Sequence, residues 1–197
     1  YQLALLFAER ISKKLVSSGF IPKENWLGLD VCKRELAYTN WDRRLIFGII
    51  ERRLMQPPFN NRSNNNEVLN RFRNEAKNLS KVINKADDLK IYNQALKVRP
   101  ADWRLWQRQA LLLSSMGRLA EALDSMQKAV EKTPWSRVLH YQYAAMLNQS
   151  GRYDDAANAA ARAILLKRDF PEATHQLASA RAGQGSIEQA AKLFAEC

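Results

Sequence analysis

The stretch WQRQALLLSSMGRLAEALDSMQKAVEKTP, from Trp106 to Pro134, decides the fold. It contains two helix-like apolar runs on either side of Gly117, and Gly151 and Gly185 follow at equal intervals. A glycine placed just after a helix adopts the left-handed conformation that ends the helix. The interval, about 34 residues, is typical of stacked helix pairs, so the spacing predicts one antiparallel pair for each glycine.

Small residues keep the same register as the glycines. An alanine lies seven residues before each glycine and another lies five residues after it: Ala110, Ala144, Ala178, and Ala122, Ala156, Ala190. Small side chains at these positions let the two helices of a pair approach closely, while larger ones such as Trp106, Leu113 and Met126 fill the space between helices. One pair cannot bury its own apolar face, so successive pairs must stack.

Residues 101–197 resemble tetratricopeptide repeats, a helix-turn-helix family with the same period. The matching residues are Trp106, Ala110, Leu113, Gly117, Ala122, Ala129 and Pro134 in the first unit, Tyr143, Ala144, Leu147, Gly151, Tyr153, Ala156 and Ala163 in the second, and Leu177, Ala178, Gly185, Ala190 and Phe194 in the third. The resemblance starts at about residue 87, because Tyr92, Ala95 and Pro100 hold the second-helix and closing positions of an earlier unit. It implies an all-α protein, with an irregular helical N-terminal segment followed by a right-handed superhelix, or α-solenoid, of three to four helix pairs.

The chain is expected to have three parts: a helical linker or docking segment over 1–60, a degenerate repeat over 61–100, and three repeats over 101–197 with the last one truncated. Apolar periodicity predicts helices over 2–18, 30–38 and from about 40 to 55, with Thr39 or Asn40 as the cap of the last of these. The degenerate unit would pair a helix over about 66–82 with another over 87–98. A polar segment, 56–66, separates it from the linker.

The charge of +11 lies mainly in the first half of the chain. Residues 1–99 hold 19 Lys and Arg against 10 Asp and Glu, whereas residues 100–197 hold 12 against 10. This surplus raises nucleic acid, an acidic lipid or an acidic protein as partners. The basic residues occur as doublets near carboxylates along the predicted helices, which favours solvated helix faces, so nucleic acid is not the expected partner. No run of residues is long and apolar enough to span a membrane.

The sequence lacks the patterns of an enzyme. It has no Gly-x-Ser-x-Gly elbow and no Gly-rich phosphate loop. Cys32 and Cys197 are far apart, and His140 and His175 fall at nearly equivalent places on successive first helices with no further ligand close in sequence. We therefore expect no catalysis, no metal and no cofactor.

The resemblance points instead to a binding groove. The first helices of stacked repeats line a concave face, and the repeat register assigns to it the candidate partner-binding residues Arg104, Gln107, Leu111, Tyr141, Asn148, Glu172 and His175. Asn148 and Gln107 would bond the backbone of an extended peptide, with Tyr141 as an aromatic anchor. The groove lacks the lysine and asparagine clamp of the family members that bind chaperone C-termini, so such a ligand is not expected. An unoccupied groove, or one packed on the parent protein's own upstream domain, stays an alternative.

These patterns predict a non-catalytic protein–protein interaction scaffold that is a fragment of a larger bacterial protein. A runner-up interpretation rests on residues 1–60, which are similar to the helical linker after a hydrolase-like domain in large bacterial repeat proteins. Under it, the chain is the accessory C-terminal region of an envelope-associated hydrolase whose catalytic domain lies upstream of Tyr1. The sequence leaves open the identity of the partner, the oligomeric state and the compartment, cytoplasm or bacterial envelope.

Overall fold

The computed structural model describes residues 36–195, and within that range all regular structure is helical. Nine helices occur there in the order α1 (Asn40–Leu54), α2 (Asn65–Val82), α3 (Lys85–Val98), α4 (Trp103–Ser115), α5 (Leu119–Lys132), α6 (Arg137–Gln149), α7 (Tyr153–Leu166), α8 (Pro171–Gly183) and α9 (Ile187–Ala195). The predicted helix over 2–18, and residues 30–35 of the predicted helix over 30–38, lie outside the described residues. Residues 36 and 37 form a turn and Tyr38 has no regular structure, so the end of that predicted helix is not helical.

The last six helices repeat with the predicted period. Helices α4, α6 and α8 begin at 103, 137 and 171, and α5, α7 and α9 begin at 119, 153 and 187, so both sets advance by the interval that separates the glycines. Gly117, Gly151 and Gly185 follow the first helix of each pair with φ of 75°, 76° and 83°. The left-handed turn predicted from the glycines is therefore confirmed, and with it the all-α solenoid.

Alanines form the seam between the two helices of each pair. The six alanines that flank the glycine turns are at most 3% exposed: Ala110, Ala122, Ala144, Ala156, Ala178 and Ala190. Larger apolar residues fill the space between pairs, where Leu105, Met126, Leu139 and Leu147 are almost completely buried. The core therefore runs continuously along the stack.

The N-terminal part packs differently. Thr39 begins α1 with a capping box, in which its side chain accepts from the Asp42 amide and the Asp42 side chain accepts from the Thr39 amide. Helix α2 packs on α1, and Phe47 lies 5.6 Å from Phe72 between ring centroids. Helix α3 begins one repeat before α5, in the register of a second repeat helix, and packs mainly on α4. Thus α2, at the place of a first repeat helix, makes its main contacts with α1 and not with α3.

None of the helices in 36–195 is long and apolar enough to cross a membrane.

Candidate partner-binding groove

The seven predicted groove residues lie on α4, α6 and α8, the first helices of the three repeats. Helices α6 and α8 pack directly on each other, and each also contacts the second helix of the preceding unit. Helices α4 and α6 are joined by a hydrogen bond of 2.7 Å from the Gln107 side-chain amide to the Gln142 side-chain oxygen. Neighbouring helix axes are separated by about 10 Å in such packing, so equivalent groove positions repeat at roughly that interval.

The first unit contributes a cation and an apolar contact. Arg104 is exposed, and its guanidinium lies 4.6 Å from the centroid of the Trp103 ring. Asp102 caps the helix by accepting from the Arg104 amide at 3.1 Å. Leu111 is half-buried against the core. Gln107 donates one of its two side-chain amide hydrogens to Gln142, so its oxygen and its second amide hydrogen remain for a ligand.

The second unit contributes an aromatic side chain that is already positioned. Tyr141 is half-buried and meets Phe170 edge-to-face, with ring centroids 5.6 Å apart. The Arg137 guanidinium lies 6.0 Å from the centroid of the same Phe170 ring. A tyrosine held by a neighbouring ring loses little side-chain entropy when it binds a partner.

Asn148 is engaged within the stack. Its amide nitrogen donates to the Gln176 backbone oxygen at 2.9 Å and to the Gln176 side-chain oxygen at 3.1 Å, so it joins α6 to α8. Its own oxygen is buried without a hydrogen-bond partner among the described residues. A peptide would have to displace Gln176 to use this amide, which the sequence pattern did not indicate.

The third unit contributes exposed charge and a second ring pair. Glu172 and His175 are both exposed. The His175 ring meets the Phe194 ring edge-to-face, with ring centroids 5.3 Å apart. Taken unit by unit, the predicted residues therefore include the Arg104 cation in the first, Tyr141 in the second and the Glu172 anion in the third. Three further residues support the predicted set but were missed from the sequence: Trp103, Phe170 and Gln176. Phe170 was missed because it precedes its helix, and the other two because they lie on first helices at positions outside the groove register.

The two histidines occupy different environments. His140 is buried, and its Nε2 lies 2.9 Å from the Pro134 carbonyl, whereas His175 is exposed and its ring contacts Phe194 of α9. Trp106, at the equivalent position one repeat earlier, makes the matching bond from Nε1 to the Pro100 carbonyl at 2.8 Å. His140 thus holds a structural repeat position. The described residues contain no group of three His, Cys, Asp or Glu side chains that could hold a metal ion.

Slots between second helices lie outside the groove. The slot between α3 and α5 has a volume of about 560 Å³, and its apolar lining includes Leu89, Leu96 and Leu113. Its counterpart between α5 and α7, one repeat further along, has about 270 Å³. Tyr143 lines this second slot at the position that Gln109 holds one repeat earlier. Burial raises the pKa of the Tyr143 hydroxyl.

Paired charges line both slots. Arg118 forms an ion pair with Glu121, and Arg152 forms one with Asp155, each with an N–O distance of 2.6 Å. The hydrogen bond from Arg118 holds the pKa of Glu121 below its usual range. Lys97, Asp124 and Lys128 also line the first slot, and Arg162 lines the second.

Comparison with known proteins agrees with this architecture. Residues 113–177 match the family model described as tetratricopeptide repeat, so the resemblance drawn from the sequence is confirmed for this part of the solenoid. No curated protein sequence matches this chain significantly.

Solved structures share the fold. A crystal structure of MamA has a TM-score of 0.56 with 16% identity, over 86% of this chain and 92% of that one. MamA from Desulfovibrio magneticus RS-1, residues 41 to the end, has a TM-score of 0.54 with 16% identity, over 79% of this chain and 93% of that one. YrrB, described as a TPR protein with an unusual peptide-binding site, gives 0.52 with 24% identity over 62% of this chain and 63% of that one. At these identities the likeness concerns the fold alone.

Proposed function

We propose that this chain is a non-catalytic scaffold that binds an extended peptide of a protein partner in the groove formed by α4, α6 and α8. The observation that carries the proposal is Tyr141, which lies on the middle one of these three helices, is half-buried and meets the Phe170 ring edge-to-face. A rigid aromatic anchor of this kind is typical of the centre of a binding surface.

The charges on either side of Tyr141 set the direction of the peptide. Arg104 stands in the first unit and Glu172 in the third, and both are exposed. An extended peptide with an acidic residue at one end and a basic residue at the other would satisfy both. Its backbone would use the free oxygen and second amide hydrogen of Gln107. Two helix spacings separate the charges, about 20 Å, which an extended peptide of about six residues covers.

The test is selection of peptides from a random displayed library on the whole chain, followed by measurement of each Kd by fluorescence anisotropy. We expect Tyr141→Ala to raise Kd at least about tenfold, because truncation of an anchor residue costs upwards of ~1.4 kcal/mol. Charge reversal at Arg104→Glu should weaken peptides with an acidic end and spare their neutral variants. Asn158→Ala, an exposed substitution on α7 outside the groove, is the matched control and should leave Kd unchanged.

Two outcomes contradict the proposal: selected peptides that bind Tyr141→Ala as tightly as the original chain, or a selection that yields no peptide. Circular dichroism of each variant separates loss of the groove from loss of the fold.

A further inference from the structure

The links between successive repeats all lie on one edge of the solenoid. The two helices of each pair are antiparallel, so the end of the second helix lies beside the start of the first, where the link from the preceding repeat arrives. We call the residues 97–103, 131–137 and 165–171 the inter-repeat edge. The opposite edge consists of the glycine turns and their flanks, residues 115–121, 149–155 and 183–189.

Large apolar side chains project into solvent from the inter-repeat edge. Val98 is 80% exposed, Trp135 71%, Leu165 71% and Leu166 36%. A tryptophan exposed to this degree is unusual in a folded domain. The opposite edge has one comparable side chain, Ile187, among the residues that the structure describes.

The two edges also differ in charge. The inter-repeat edge carries six Lys and Arg against three Asp and Glu: Lys97, Arg99, Lys132, Arg137, Lys167 and Arg168, with Asp102, Glu131 and Asp169. The opposite edge carries two cations against four anions: Arg118 and Arg152, with Glu121, Asp154, Asp155 and Glu188. Between residues 36 and 195, Lys132, Lys167 and Arg168 are exposed and form no ion pair, whereas both cations of the opposite edge are paired.

We propose that the inter-repeat edge binds the surface of an anionic lipid bilayer. Tryptophan and leucine tips that stand among lysines and arginines match the boundary between headgroups and acyl chains, where aromatic rings and basic residues both concentrate. The side chains belong to three successive links, and neighbouring helices in such packing are about 10 Å apart. Separate tips of this kind suit a broad surface, whereas a protein partner is usually held by a contiguous, closely packed patch.

None of the seven groove residues belongs to the inter-repeat edge, although Trp103 and Phe170, which contact Arg104 and Tyr141, do. The substitutions that test the edge, at residues 135, 165, 167 and 168, leave these contacts in place. Failure of vesicle binding in those variants is therefore distinguishable from failure of peptide binding.

The experiment is co-sedimentation of the full chain with vesicles of equal parts phosphatidylcholine and phosphatidylserine, and with vesicles of phosphatidylcholine alone. We expect sedimentation with the anionic vesicles only, reduced at high salt because the cations are exposed to solvent. The double variant Trp135→Ser/Leu165→Ser should weaken vesicle binding at least about tenfold. The variant Lys167→Glu/Arg168→Glu should weaken it as well.

Ile187→Ser is the matched control, because it removes an equally exposed apolar side chain from the opposite edge. It should sediment like the original chain, and since all these side chains are exposed, circular dichroism should show intact helices in every variant. Three outcomes overturn the proposal. The first is that the chain sediments with neither kind of vesicle. The second is that the edge variants sediment like the original chain, which would place binding on other basic residues. The third is that size-exclusion chromatography shows a dimer that Trp135→Ser abolishes, which would make the edge a contact between copies.

Discussion

The hydroxyl of Tyr92 lies 3.0 Å from the hydroxyl of Thr39, which precedes it by 53 residues. Tyr92 is fully buried in α3, and Thr39 is the residue that caps α1. Next to them, the Trp41 amide donates to the Asp88 carboxylate at 3.3 Å, and Arg108 of α4 approaches Asp42 at 3.6 Å. The start of α1 is therefore fixed on the first repeats by buried polar contacts.

Replacing Tyr92 by phenylalanine should test this anchor. Tyr92→Phe keeps the ring and removes the bonds of its hydroxyl to Thr39 and Asp42, so we expect the free energy of unfolding to fall by about 1 kcal/mol in a urea titration. Tyr143→Phe is the control, since Tyr143 is half-buried and its hydroxyl has no hydrogen bond among the described residues. Equal effects of the two substitutions would contradict a specific role of the Thr39 contact.

Asp88 should give stability a distinct pH dependence. Burial raises the pKa of its carboxyl above the usual range, opposed by the hydrogen bond from the Trp41 amide. The folded chain therefore holds this proton more tightly than the unfolded chain. This contribution to stability is complete below the unfolded pKa of about 4 and is lost as the pH rises through the folded value.

Asp88→Asn removes that titration and keeps an oxygen for the Trp41 amide. Relative to the original chain, we expect the variant to gain stability between pH 4 and 7, measured as the difference in urea midpoints at each pH. Asp124→Asn, an exposed change, is the control and should show no such gain. A variant that loses stability relative to the original chain as the pH rises would show that the charge on Asp88 is needed.

Gly183 should be intolerant of a side chain. A Cβ at this position would overlap the Tyr153 ring of α7, so Gly183→Ala forces the ring or the helix to shift. We expect a loss of about 1–3 kcal/mol, typical of overpacking, in a denaturant titration. The double variant Gly183→Ala/Tyr153→Ala should lose less than the sum of the single variants. Strict additivity would contradict the overlap.

Gly151 and Gly48 form a matched pair, since a Cβ would have open space around it at either position. Gly151 has φ of 76°, where an alanine is strained, and Gly48 lies within α1. We expect Gly151→Ala to destabilise the chain by about 1–2 kcal/mol and Gly48→Ala to stabilise it by up to about 1 kcal/mol. Thermal unfolding of the two variants checks the opposite signs.

The sequence was sufficient for the repeats because their determinants are local and recur. Glycine, alanine and large apolar positions return once in every repeat, so each helix start in the solenoid follows from the one before it. The groove positions follow from the same register, although their role in binding stays a prediction.

The anchoring of α1 could not be predicted in this way. The contact between Thr39 and Tyr92 joins residues far apart in sequence, and neither belongs to a period that includes the other. The capping role of Thr39 was visible from its place before the helix, and the structure confirms it. Its second contact depends on tertiary packing. The same holds for Asn148, whose bonds to Gln176 depend on the spacing of α6 and α8.

The neighbour-to-neighbour packing has a consequence for how the chain opens. Helix α9 makes its main contacts in the described part of the chain with α8 alone, whereas α6 is held by α5, α7 and α8. In a linear array, each unit is stabilised only by the units beside it, so opening spreads unit by unit from a weak end. Amide hydrogens should therefore exchange fastest in α9 and more slowly toward α6, giving a gradient of protection along the solenoid.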